Sequence, residues 1–268
     1  MNQTSVERPR QHRHEAQRLE ILAAAAAAIA EHGYHGMSMR ALARATGRGL
    51  ATFYNYFSCK EELLFSLQTE AFETLTGSVQ AALEDVIDPV DRLHIFVLNN
   101  LRYTAENRSV MRVLVQEASA LPAARRKKVR LLKEGYFKIC RDIVASIVAA
   151  GCNAPGASGV DGVDAIEVER ITYSVFGMLV WSYGWYDPRQ HGTPDDVAKT
   201  IHGLAVCGLV ARCPHRAAVV NHEGQRGAFP PPPPLIGRSA RRIATARKLQ
   251  PLAKAGKHSN LRKRYETV

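Results

Sequence analysis

The chain has 268 residues, 46% apolar and 23% charged, with a formal net charge of +11. That is enough for one or two domains with a sizeable core. No run of 18 or more apolar residues offers a membrane span, so a cytoplasmic protein is expected. The five cysteines (Cys59, Cys140, Cys152, Cys207 and Cys213) are odd in number and show no CxxC spacing. They argue against a disulfide framework or a zinc site and for reduced, mostly buried thiols.

The charge is uneven. Residues 215–268 hold 12 Lys or Arg against 2 Asp or Glu, so residues 1–214 are close to neutral. Residues 1–14 form a basic arm, with Arg8, Arg10 and Arg13 among histidines. Such a composition buries little and reads as disordered. The arm either follows a nucleic-acid backbone or merely solubilises the chain. Over 15–32 the spacing of Leu19, Leu22, Ala26 and Ile29 predicts an amphipathic helix, which Gly33 ends. The alanine run at 23–28 lies inside that helix and is not a signal peptide.

Residues 38–60 organise the rest. Ser38 is positioned to cap a short helix whose Met39, Leu42 and Ala43 share one face. Gly47 and Gly49 then break the pattern. A second short helix follows. Helices under about 12 residues are marginal in water, so it must dock on its neighbours and leave one face outward. That is a helix-turn-helix, whose second helix enters a DNA major groove. Phe53 and Phe57, four apart, are expected inward; Thr52, Asn55 and Tyr56 are expected outward. Asn55 suits a bidentate contact with adenine, and Arg40 suits guanine or a phosphate. Tyr54 and Lys60 suit phosphate oxygens, beside the N–H groups of the helix starting near Lys60. Arg40, Thr52, Tyr54, Asn55, Tyr56 and Lys60 are therefore the candidate DNA-binding residues.

Further helices are predicted from about 60 to 85, 89 to 105, 109 to 121, 123 to 150, 164 to 183 and 194 to 210, the last capped by Thr193. A glycine-rich loop spans 156–162. No strand alternation interrupts them, so the fold class is all-α. The domains expected are the arm (1–14), a three-helix DNA-binding domain (15–60), a helical ligand-binding and dimerisation domain (61–213) and a disordered basic, proline-rich tail (214–268). The last two helices carry more apolar surface than a lone pair can bury. A homodimer through them would form a four-helix bundle. Its two recognition helices would meet two half-sites of a palindromic double-stranded operator. Tyr103, Met111, Val115, Tyr136, Tyr173 and Phe176 are candidates to line an apolar ligand pocket, or each belongs to the core. The run Arg125, Arg126, Lys127, Lys128, Arg130 and Lys133 is either a solvated face or a site for ligand phosphates. No P-loop, Rossmann fingerprint, nucleophile elbow or metal-ligand cluster is present. An enzyme is not expected, and no cofactor is implied.

Gly33, Ser38 to Leu42, Ala45, Gly47, Thr52-Phe53-Tyr54, Tyr56-Phe57 and Lys60-Glu61-Glu62-Leu63 together resemble the TetR family of bacterial transcriptional regulators. The resemblance is concentrated in residues 15–70. It implies a dimeric, ligand-responsive repressor that a small molecule releases from its operator. The chain departs from the family at the turn, with Arg48 and Gly49 where a valine and a capping serine are usual. Leu50 stands where a polar base contact is common and could meet a thymine methyl instead. The stretch Trp181-Ser182-Tyr183-Gly184-Trp185-Tyr186-Asp187-Pro188, with Thr193-Pro194-Asp195, is similar to a pattern in members that respond to acyl-CoA thioesters or catabolites of lipid, steroid or aromatic degradation. It also reads as a structural aromatic corner. A different reading is a nonspecific nucleic-acid-binding protein driven by its basic tail.

Overall fold

In the structure, a computed structural model, residues 4–152 and 165–210 are described. They form ten helices and, among the described residues, no strand. The fold is all-α, with α1 (Thr4–Gly36), α2 (Met39–Thr46) and α3 (Leu50–Tyr54) at the N-terminal end. α4 (Lys60–Ala82) leads from these into the body. The body comprises α5 (Pro89–Glu106), α6 (Arg108–Gln116), α7 (Ala123–Cys152), α8 (Ala165–Trp185), α9 (Pro188–His191) and α10 (Pro194–Val210). None of these helices is long and apolar enough to cross a membrane.

Local chemistry sets several boundaries. Asp88 caps α5, accepting from the Val90 and Asp91 amides at 2.8 and 3.1 Å, with Pro89 in the first turn. Thr193 and Asp196 cap α10 reciprocally. The Asp196 carboxylate accepts from the Thr193 amide at 2.8 Å, and the Thr193 hydroxyl accepts from the Asp196 amide at 3.2 Å. α5 is buried almost all round, through Leu93, Ile95, Phe96, Val97, Leu98 and Leu101, so it forms the centre of the body. α4, α7, α8 and α10 pack around it.

Three boundaries differ from expectation. α1 begins at Thr4, inside the segment read as a disordered arm. Polar composition argues against burial, and His12 and Arg13 are indeed exposed. It does not prevent an anchored helix from extending at little cost per added residue. The helix predicted over 109–121 stops at Gln116 because Glu117 is taken up by tertiary bonds. Its carboxylate accepts from the Tyr34 amide and its carbonyl from the Gln68 side chain. α9 is an unpredicted single turn, capped by the Asp187 carboxylate. The 156–162 loop and the 214–268 tail lie outside the described residues.

Candidate nucleic-acid interface

The helix-turn-helix is built as its residues dictate. The Ser38 hydroxyl accepts from the Ala41 amide at 3.1 Å and starts α2. Gly47 ends it in the left-handed region (φ 67°), where a side chain is strained. Met39, Leu42 and Ala43 are buried beneath it. α3 is only five residues long. Its cap, Gly49, offers no side-chain bond, as the missing serine implies. Phe53 and Phe57 hold it to the core at 0% and 2% exposure. Arg48, the other departure at the turn, forms an ion pair with Glu20 and ties the turn to α1.

The six candidate residues divide. Arg40 and Asn55 are exposed, Tyr54 is 51% exposed, and Thr52 is half-buried. Arg40 makes no ion pair among the described residues. These four present polar groups on or beside α3. Tyr56 departs from its expected outward placement. It is half-buried, its hydroxyl donates to Gln17 Oε1 at 2.6 Å, and its ring meets His14 at 4.4 Å. Lys60 also turns inward. Its ammonium lies 4.4 Å above the Tyr34 ring and donates to the His35 carbonyl at 3.3 Å; burial lowers its pKa. Leu50 is half-buried against the core rather than fully outward. Spacing could not separate these cases, because α3 is too short to define two clean faces.

Cys59 caps α4. The nearby Glu62 amide holds its thiol pKa below the usual value, helped by Ser58 and by Arg125 4.0 Å away. Cys140 is buried, and desolvation pushes its thiol up to about 12. Cys207 is exposed, against the expectation of burial.

The head meets the body mainly where α1 packs on α6. α1 turns at Gly33 (φ 72°, ψ 160°), and the next amide, of Tyr34, donates to Glu117 Oε1 at 2.9 Å. Gln68 on α4 donates to the carbonyl of the same glutamate at 3.2 Å. One residue after α6 therefore holds both helices that position the head. No pairwise motif announced this link.

In the body, Tyr103, Met111 and Tyr136 are buried, and Val115 and Phe176 are half-buried. Tyr136 stacks on Phe96 at 5.1 Å and meets Phe176 edge-on at 5.9 Å. Phe96 was missed because it reads as plain core. Tyr173 is not part of a buried lining: it is 63% exposed, on the far side of Phe137. Its aromatic character gave no indication of which face of α8 it occupies. Asn100 donates to the Tyr136 hydroxyl at 3.1 Å. Among the described residues, Asn100 Oδ1, the Tyr103 hydroxyl, Thr69 Oγ1 and Gln68 Oε1 are buried without a hydrogen-bond partner. Orphans of this kind mark unfilled hydrogen-bonding capacity. Burial raises the Tyr103 and Tyr136 pKa values, so both phenols stay neutral.

The aromatic corner at the end of α8 splits in two. Tyr183 and Tyr186 are buried, and the Tyr186 hydroxyl donates to the Gly192 carbonyl at 3.0 Å. Trp181 and Leu204 are each 63% exposed and Trp185 is 39% exposed. With Gly177, Met178 and Ile201 they line an open groove of about 710 Å³ between α8 and α10.

A helix-turn-helix head on a helical body defines a class, the DNA-binding regulators with a separate helical C-terminal region. Residues 21–67 match the family model for bacterial regulatory proteins of the tetR family, and residues 86–209 match that for the tetracyclin repressor-like C-terminal domain. The chain belongs to the TetR family and is a transcriptional regulator with a DNA-binding and a ligand-binding region. It is 24% identical over 133 residues to the fatty acid metabolism regulator protein of Bacillus subtilis, covering 50% of this chain and 69% of that one. It is 28% identical over 142 residues to the HTH-type transcriptional regulator HbdR of Aromatoleum sp., covering 53% and 60% respectively. Among solved structures, AibR in complex with isovaleryl coenzyme A and operator DNA is similar at a TM-score of 0.59 and 25% identity, over 70% of this chain and 97% of AibR.

Proposed function

We propose that the chain is a dimeric repressor, released from a palindromic operator when a small, largely apolar molecule enters the body. The observation that carries this reading is the double grip of Glu117 on α1 and α4. A ligand that moves α6 must move the head with it. The coupling equals the ligand's differential affinity for the two positions. The similarity to AibR, which was solved with both isovaleryl coenzyme A and operator DNA, supports the same reading.

The effector we infer is an acyl-CoA or a lipid or steroid catabolite. Its buried end is apolar, against Phe96, Tyr136 and Phe176, with an uncharged polar group such as a carbonyl or hydroxyl. The neutral phenol of Tyr103 and the Asn100 carbonyl oxygen, both without partners, favour such a group over a carboxylate. The exposed face of Trp181, Trp185 and Leu204 supports a dimer through α8 and α10, because apolar patches rimmed by polar residues mark association sites. Arg40, Thr52, Tyr54 and Asn55 are the groups we assign to DNA, with Tyr56 and Lys60 supporting α3 and the start of α4.

Selection of genomic fragments by the full-length protein tests this. A palindromic sequence should be enriched, and Asn55→Ala should lower affinity for it about ten- to hundredfold, as loss of one bidentate base contact does. Enrichment of no common sequence would sink the operator reading. Glu117→Ala should keep operator binding while reducing release by an acyl-CoA. Unchanged release would remove Glu117 from the mechanism.

A further inference from the structure

We propose that the first turns of α7 are a second DNA-facing surface, which binds the phosphate backbone beside the half-site contacted by α3. The proposal rests on the operator-binding reading above.

Residues 125–133 hold six Lys or Arg and no Asp or Glu. Arg126, Lys127, Lys128, Arg130 and Lys133 are exposed, whereas Val129 is buried and fixes the face that points to the core. Arg130 pairs with Glu134 at 3.2 Å. Lys127, Lys128 and Lys133 make no ion pair among the described residues. Cations in the first turns of a helix oppose its dipole, at about 0.3–1 kcal/mol each when exposed. An external anion offsets that arrangement.

The position of this cluster selects the anion. Arg125, at its head, lies 4.0 Å from Cys59 Sγ and 5.7 Å from the Phe65 ring centre. Cys59 is the cap of α4, four residues after Asn55. The basic turns thus continue the surface that runs from α3 to the start of α4. Tyr136, in the aromatic cluster of the body, is 11 residues further along α7, about 16 Å away at 1.5 Å per residue. The first turn of the cluster, from Arg125 to Lys128, adjoins the head more closely than the ligand region; Lys133, at its other end, is three residues from Tyr136. Residues 1–214 are close to neutral overall, so six cations in nine positions stand out in the local field.

The double variant Lys127→Glu/Lys128→Glu in the full-length protein tests the idea. Affinity is measured by fluorescence anisotropy across a salt series, on the selected operator in a fragment extended by flanking sequence and on random DNA of equal length. Each lost phosphate contact lowers the salt slope by about 0.9, so the variant should lose nearly 2 from the slope and about tenfold or more in affinity, on both DNAs. Its thermal stability should be retained or raised, because acidic groups suit a helix N-terminus. Lys127→Arg/Lys128→Arg should behave as the parent. Unchanged slope and affinity in the charge-reversed variant would overturn the proposal. So would unchanged DNA binding with loss of thermal stabilisation by coenzyme A, which would assign the cluster to ligand phosphates. If the parent protein fails to distinguish operator from random DNA, the repressor reading falls. The slope difference on random DNA still decides the α7 surface.

Discussion

α2 and α3 form one motif, yet they are held in opposite ways. α2 is specified by its own residues: a serine cap at one end, a left-handed glycine at the other, and three buried residues on one face. α3 has five residues, a glycine cap without a side-chain bond, and one buried residue within its bounds. A helix that short has no stability of its own. It exists because Phe53 and Phe57 are inserted into the core and because Arg48 pins the preceding turn to Glu20. The element we assign to DNA is thus the one most dependent on its surroundings.

If that contrast is right, the largest effect should come from the anchor of α3. Phe53→Ala removes a ring that is 0% exposed and should cost about 3–5 kcal/mol, with loss of operator binding. Denaturant unfolding followed by circular dichroism measures it. A loss under 1 kcal/mol would mean that α3 is not held from below. Gly47→Ala comes next. An added methyl meets nothing within 4 Å, so the cost is backbone strain at φ 67°, about 1–2 kcal/mol. A neutral result would show that the end of α2 relaxes freely and that its cap specifies little.

The same contrast explains how much was legible in the sequence. α2, its caps, the glycine turn and the inward phenylalanines could be read directly, since each depends on residues within one turn. So could the all-helical class and the starts of α5 and α10, where Pro89 and Thr193 announce themselves. The inward turn of Tyr56 and Lys60 could not, because their partners, Gln17 and Tyr34, are distant in sequence and carry no pattern. Glu117 was invisible for the same reason: its role is two bonds to helices 83 and 49 residues away. Tyr173 and Trp181 were ambiguous because α8 is apolar on both its buried and its outer sides. Periodicity cannot then choose a face.

Ser38→Ala should cost about 1 kcal/mol, the usual value for a side-chain cap. Amide exchange should show the loss concentrated in the first turn of α2, at Ala41, whose amide the hydroxyl now holds. Equal loss of protection across α3 would contradict the view that the two helices are stabilised separately.

The smallest effect is the most discriminating. Gly49→Ser restores the cap that α3 lacks. The new Cβ would lie 3.8 Å from Thr52 Oγ1, an ordinary contact, and the backbone at Gly49 (φ −66°, ψ 143°) is open to any residue. Serine exceeds glycine at a cap by only a few tenths of a kcal/mol, so global unfolding should barely change. Amide protection in residues 50–54 should nevertheless rise, because a helix with no reserve of its own responds to any added bond. If protection there stays constant while α3 keeps its place, Phe53 and Arg48 already hold the helix fully. Its missing cap would then have no bearing on how it meets DNA.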